Sequence, residues 1–138
     1  MSDGNRIFGD GKTLDGFLTG LLFGSLVGIF QNILLSIPEV QITLQIQPLG
    51  WTFPVLMALG ALSGDIFASF IKRRVGVPRG RPIPGVDQLD FIIGAIFFIS
   101  IVWIPEWEIL FVWLAFTPWI HLGTNFLAYI LGLKPKPY

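Results

Sequence analysis

The sequence predicts an all-α integral membrane protein with four transmembrane helices and both termini on the cytoplasmic side. Three observations predict it: composition, four long apolar stretches, and the placement of the basic residues. Of the 138 residues, 53% are hydrophobic and only 13% are charged, whereas a soluble domain carries about 25% charged residues. Mean hydropathy is +0.71, which points to lipid as the solvent. The length suits one domain, residues 1–138. The chain contains no cysteine, which excludes disulfides and thiolate chemistry. Its first residues are polar and glycine-rich and lack the short apolar core of a cleavable signal peptide.

The first apolar stretch runs from Gly16 to Ile37. As a helix it is about 33 Å long, enough to cross a hydrocarbon core of about 30 Å. The second runs from Thr52 to Ile71, and the third from Leu89 to Ile104, closed by Pro105. The fourth runs from Trp107 to Leu133 and contains Pro118, which removes one helical hydrogen bond and is expected to kink it. Each is read as a helix, because an open sheet edge has no hydrogen-bond partners in lipid.

Charge sets the orientation. Arg6 and Lys12 precede span one; Lys72, Arg73, Arg74, Arg79 and Arg81 lie between spans two and three; Lys134 and Lys136 follow span four. The other two connections hold Glu39, Glu106 and Glu108 and no basic residue. Four spans therefore put all nine basic residues on one side, which the positive-inside rule makes cytoplasmic. Splitting the fourth stretch at Pro118 would put Lys134 and Lys136 outside, and that version is rejected. Most of the tryptophans sit near span ends, as interfacial belts do. The implied location is the cell membrane, with the basic segments at its inner face.

Span one carries Gly16, Gly20, Gly24 and Gly28, a spacing that opens a groove for close helix approach. Tight packing within the chain is one reading, and a homodimer face is the alternative. The outer connection reads Val40-Gln41-Ile42-Thr43-Leu44-Gln45-Ile46-Gln47, a strict apolar–polar alternation that predicts an extended strand.

The chemistry gathers on the cytoplasmic side. Asp65 lies within an apolar span, where a carboxylate is costly unless it faces a cavity or a partner. Ser69 and Lys72 follow on the same helical face. The loop from 72 to 88 is rich in cations, glycine and proline and is the catalytic segment of this reading. Basic loops also attract anionic headgroups, but such a role needs no aspartates at the mouth of the next helix. Asp87 and Asp90, three apart, project from one face there. Carboxylates beside cations that await phosphate suit a magnesium–nucleotide site.

These residues resemble the signature of the CDP-diacylglycerol synthases: Gly64-Asp65, Ser69, Lys72-Arg73, a basic loop through Pro84, and Asp87-Gln88-Leu89-Asp90. The detail is more similar to the archaeal branch, the CDP-archaeol synthases. That branch is matched by Gly9-Asp10-Gly11-Lys12-Thr13, by Ser69 to Gly76, and by His121, Thr124 and Asn125. Members usually carry a fifth span ahead of the Gly9 segment, whereas this chain has Met1 eight residues before it. They also tend to have Arg where Asp15 stands, which leaves the phosphate-binding role of that position open.

The resemblance implies a transferase that joins CTP to an isoprenoid ether-lipid phosphate (2,3-bis-O-geranylgeranyl-sn-glycerol 1-phosphate), giving CDP-archaeol and pyrophosphate in phospholipid synthesis. Magnesium is the expected cofactor, with Asp65, Asp87 and Asp90 as ligands and Lys72 as the fourth catalytic residue. Lys12, Thr13, Ser69, Arg73, Arg79, Gln88 and Asn125 are expected to bind substrate. CTP, the lipid phosphate and membrane lipids are the expected partners, and nucleic acid is not. A related enzyme using another lipid phosphate, or a small transporter or scaffold, are the alternatives. Other motifs fail on their spacing or surroundings. Gly11-Lys12-Thr13 lacks the first glycine of a phosphate-binding P-loop, since Arg6 stands there. His121, the sole histidine, has no cysteine to share a zinc ion. Thr117, His121 and Asn125 share one face of span four, which suits either interhelical hydrogen bonding or substrate contact. The Asp-Gly-x-x-Ala-Arg start of a CDP-alcohol phosphotransferase is absent.

Overall fold

A computed structural model describes residues 13–44, 48–78, 81 and 83–135. Five helices follow in order: α1 (Leu14–Leu35), α2 (Pro38–Leu44), α3 (Thr52–Arg74), α4 (Val86–Ile99) and α5 (Trp107–Ile130). Among the described residues there is no strand. The protein is an all-helical integral membrane protein: α1, α3 and α5 are each long and apolar enough to cross a membrane. Their outer faces expose large apolar side chains such as Phe23, Phe111 and Trp119, the last 74% exposed, so lipid completes the burial that a soluble core would provide.

α1 starts where Thr13 caps it, its hydroxyl accepting from the Gly16 N–H at 3.1 Å, with Asp15 favourably placed in the positive first turn. The helix ends at the Ser36 cap, before the Ile37-Pro38 pair. Buried Asn32 donates from Nδ2 to the Leu49 carbonyl at 2.7 Å and ties the end of α1 to the segment leading into α3.

The alternating segment corrects the sequence reading. Residues 38–44 form the short helix α2, with Pro38 at its start; Gln45, Ile46 and Gln47 lie outside the described residues. A lone strand here would need a partner strand for its backbone. A helix satisfies those groups within the segment, and Pro38 presets its first φ.

The glycine stripe of α1 packs on α3 within the chain. A Cβ added to Gly20, Gly24 or Gly28 would meet Leu62, Ala58 or Pro54, the last at 2.6 Å. The crossing of α3 with α4 is tighter still. A Cβ on Gly60 would lie 2.5 Å from the Gly94 carbonyl oxygen, and one on Gly64 would lie 2.2 Å from that of Asp90. Backbone therefore touches backbone, as small residues permit in lipid. Phe53, Ala68, Ile92, Ala95 and Ile99 form the buried apolar core along this seam.

α4 also departs from expectation. It begins three residues before Leu89 and stops at Ile99, so its 14 residues make a helix of about 21 Å. A turn through Val102 then carries the chain to Trp103, whose ring meets Phe53 at 5.8 Å and Trp113 at 6.3 Å. α5 runs unbroken through Pro118, in line with a single helix there.

Candidate active site

The Gly64 contact determines what lies beside it. Because α4 presses on α3 at Gly64, Asp65 on α3 and Asp90 on α4 are brought to the same level of the bundle. A cavity of about 610 Å³ opens there. α3 contributes Asp65, Ser69 and Lys72, and the first turns of α4 contribute Asp87, Gln88 and Asp90. α5 contributes His121, Leu122 and Asn125, and Lys134 reaches in from beyond its end. Arg81, Ile83 and Pro84 form the remaining wall.

Local electrostatics favour this assembly. Lys72, Arg73 and Arg74 occupy the last turn of α3 and oppose the negative end of its dipole, while Asp87 sits in the positive first turn of α4. Lys72 Nζ donates to both oxygens of Asp87, at 2.7 and 2.9 Å. Asp87 Oδ2 also accepts the Ile83 N–H at 3.1 Å, which holds the connecting segment against the helix mouth. Gly85 precedes α4 with φ of 86°, a left-handed turn that a side chain would strain. Asp90 Oδ1 accepts the Phe91 N–H at 2.7 Å. On the facing wall, Lys134 Nζ donates to Asn125 Oδ1 at 2.9 Å, and Asn125 Nδ2 lies 3.3 Å from His121 Nδ1.

Of the residues singled out from sequence, Asp65, Ser69, Lys72, Asp87, Gln88, Asp90 and Asn125 line this one cavity. Thr13 does not; it caps α1. Arg73 does not either, and its guanidinium donates to the Val77 carbonyl, shaping the turn after α3. Lys12 and Arg79 lie outside the described residues. The three aspartates share the cavity without closing on a common point. Among the described residues no group of three His, Cys, Asp or Glu side chains is gathered to hold a metal ion. Asp87 faces Lys72 instead, as a carboxylate does when a cation is within reach.

Sequence reasoning does not single out Arg81 or Lys134 as site residues: Arg81 enters only as one of the cations of the 72–88 loop, and Lys134 only through topology. Arg81 lies in a proline-rich loop without period. Lys134 had one usable signal, the Gly132-Leu133 pair after an apolar helix, which marks a reversing cap.

The family model described as CDP-archaeol synthase, CarS-like, matches residues 1–138. A CDP-archaeol synthase of Methanococcoides burtonii is 43% identical, over 100% of this chain and 86% of its own length. That of Pyrococcus horikoshii is 46% identical, over 99% of this chain and 77% of its own. A solved structure of an intramembrane enzyme for archaeal membrane lipid biosynthesis superposes with a TM-score of 0.74 at 35% identity, covering 91% of this chain and 73% of the other. With the whole chain matched by the family model and by a relative 43% identical over 86% of its own length, this protein belongs to the CDP-archaeol synthase family.

Proposed function

We propose that the protein is a membrane cytidylyltransferase. It joins CTP to 2,3-bis-O-geranylgeranyl-sn-glycerol 1-phosphate and releases pyrophosphate. The observation that carries this reading is one cavity, at the end of an apolar helix bundle, whose walls combine three aspartates with cationic side chains. A triphosphate and a lipid phosphate bring several negative charges together, and such a site offers both cations and oxygen donors to receive them.

In the reaction an oxygen of the lipid phosphate attacks the α-phosphorus of CTP. The bond from that phosphorus to the bridging oxygen breaks, and pyrophosphate leaves with the bonding pair. The nucleophile is a phosphomonoester, ionised near neutral pH, so no protein base has to remove a proton. The chain's own tasks are alignment and charge neutralisation. Lys72 and Arg81 face incoming phosphate from the loop side, and Lys12 and Arg79 are proposed to add to them. Ser69 and Gln88 offer hydrogen bonds within the cavity, and Arg73 holds the adjoining turn through Val77.

Asp65, Asp87 and Asp90 are the proposed ligands of Mg²⁺. When bound it would neutralise phosphate charge and orient the two phosphates. Lys72 would then exchange part of its hold on Asp87 for a phosphate oxygen.

Four crossings, with the cavity at the cytoplasmic face, complete the reading. The basic last turn of α3 and Lys134 beyond α5 support this orientation, and the Phe53–Trp103 contact supports a fourth crossing. α4 and its terminal turn together reach the level where α3 begins. Purified protein incubated with labelled CTP, the ether-lipid phosphate and Mg²⁺ is expected to yield labelled lipid. No labelled lipid with this acceptor, but product with a diacyl phosphatidate, would reassign the acceptor. No product with either would overturn the enzyme reading.

A further inference from the structure

We infer that Lys134 is a phosphate-binding residue of this site and that Asn125 positions it; this rests on the transferase reading above. Lys134 lies beyond Ile130, the last residue of α5. If α5 continued straight, Lys134 would stand about 13 Å farther along the axis than Asn125, too far for contact. The chain reverses instead. Gly132 takes a left-handed φ of 71°. The Leu133 N–H donates to the Ala128 carbonyl at 2.9 Å and the Gly132 N–H to that of Tyr129 at 3.0 Å, the paired bonds of a Schellman cap. The Lys134 N–H also donates to the Ala128 carbonyl, at 3.3 Å, so the backbone is fixed right up to the lysine.

Folded back this way, the ammonium reaches Asn125 Oδ1 at 2.9 Å and lines the same cavity as Lys72. The Asn125 amide is occupied at both ends, its oxygen by Lys134 and its nitrogen by the His121 ring. Its work is therefore on its neighbours, and it is a positioning residue. The amide fixes the ammonium in direction within the cavity. A lysine held this way is suited to a phosphate oxyanion, either on the lipid acceptor or on the triphosphate.

Steady-state kinetics with both substrates varied, on the whole protein in detergent, test this. Lys134→Gln is expected to raise KM for one substrate about tenfold or more with kcat little changed, the loss of one charge-assisted hydrogen bond made equally in ground and transition states. A rise for the lipid phosphate identifies that source, and a rise for CTP identifies the triphosphate. Asn125→Ala should raise the same KM, the double variant should be no worse than Lys134→Gln, and Lys134→Arg should recover most of the loss. Unchanged KM for both substrates in Lys134→Gln overturns the inference. An Asn125→Ala effect on the other substrate, or one fully additive with Lys134→Gln, removes the positioning role. A second measurement needs neither variant nor turnover. Inorganic pyrophosphate should slow modification of Lys134 in the wild-type protein by an amine-reactive reagent, read by mass spectrometry. No slowing counts against the assignment even if the wild type forms no CDP-lipid, so the two readings fail separately.

Discussion

Lys72 Nζ lies 2.7 Å from one carboxylate oxygen of Asp87 and 2.9 Å from the other, clamping the last turn of α3 to the first turn of α4. The lysine side chain is 12% exposed and the aspartate 29%, so the pair is partly withdrawn from water. Removing one partner leaves the other charge poorly compensated. A charge swap separates holding from chemistry. Lys72→Asp combined with Asp87→Lys should recover the thermal transition lost in Lys72→Asp alone, yet remain inactive, because the cation and the carboxylate have traded walls. Restored turnover in the swap would make the pair purely structural.

The three aspartates face a simpler test. Asp65→Asn, Asp87→Asn and Asp90→Asn each keep size while removing the charge and one acceptor oxygen. Each is expected to abolish product formation from labelled CTP while the protein elutes and melts as a folded species. Near wild-type activity in any one would remove that residue from the proposed magnesium site.

Gly64 is predicted to be the most sensitive packing position on α3. A methyl group there would fall 2.2 Å from the Asp90 carbonyl oxygen, and backbone on both sides has little room to yield. Overpacking of this kind costs about 1–3 kcal/mol. Gly64→Ala should therefore lower the thermal transition and reduce turnover together, since the helix it displaces carries Asp87 and Asp90. Gly123→Ala on α5 is the control: a Cβ there meets nothing within 4 Å, so neither quantity should fall. Equal behaviour of the two variants would contradict the close α3–α4 seam.

The α3 and α4 halves of the cavity were legible because their determinants are local. Asp65, Ser69 and Lys72 follow helical period on one element, and Asp87 with Asp90 does so on the next, so knowing that two helices meet at the loop suffices. α2 was misread because alternation describes side chains and says nothing about whether a partner strand exists. The span read as Leu89 to Ile104 ends as a helix at Ile99, since apolar composition continues through a turn that only Phe53 and Trp113 packing explains. Lys134 escaped notice because its position depends on a chain reversal at Gly132 and a side-chain bond spanning nine residues, neither visible in hydropathy. Arg73 stands within the motif, and its guanidinium serves the turn at Val77.

Orientation is testable with introduced thiols, since the chain has no cysteine of its own. Glu39 on α2 and Glu106 before α5 are exposed, as is Val75 after α3. Cysteine at Glu39 or Glu106 should react with an impermeant thiol reagent in intact cells. Cysteine at Val75 should react only after lysis. Labelling at Val75 in intact cells would invert the proposed topology, and labelling of Glu39 but not Glu106 would mean that α3 and α4 do not both cross.

The last prediction is that cytidylyl transfer is direct, with no covalent nucleotidyl-enzyme. Covalent catalysis requires a nucleophile activated by a neighbouring base. Cysteine is absent from the chain. Lys72 and Lys134 in the cavity are held as ammonium donors to Asp87 and Asn125, and the aspartates are the proposed metal ligands, which leaves Ser69 and His121 as the side chains that could serve. His121 has the Asn125 amide as its polar neighbour at 3.3 Å, an orienting contact that does not activate it as a carboxylate would. Ser69 is set between Asp65 and Lys72 on one face of α3, where a phosphate or metal is the better explained occupant. The lipid phosphate arrives already ionised, so a protein intermediate would add a step and remove no difficulty. A single in-line displacement inverts configuration at the α-phosphorus. Chiral α-thio-CTP, with product stereochemistry read by phosphorus NMR, should therefore show inversion. Net retention, or protein that stays labelled by CTP when lipid is withheld, would establish a double displacement and promote Ser69 or His121 to nucleophile.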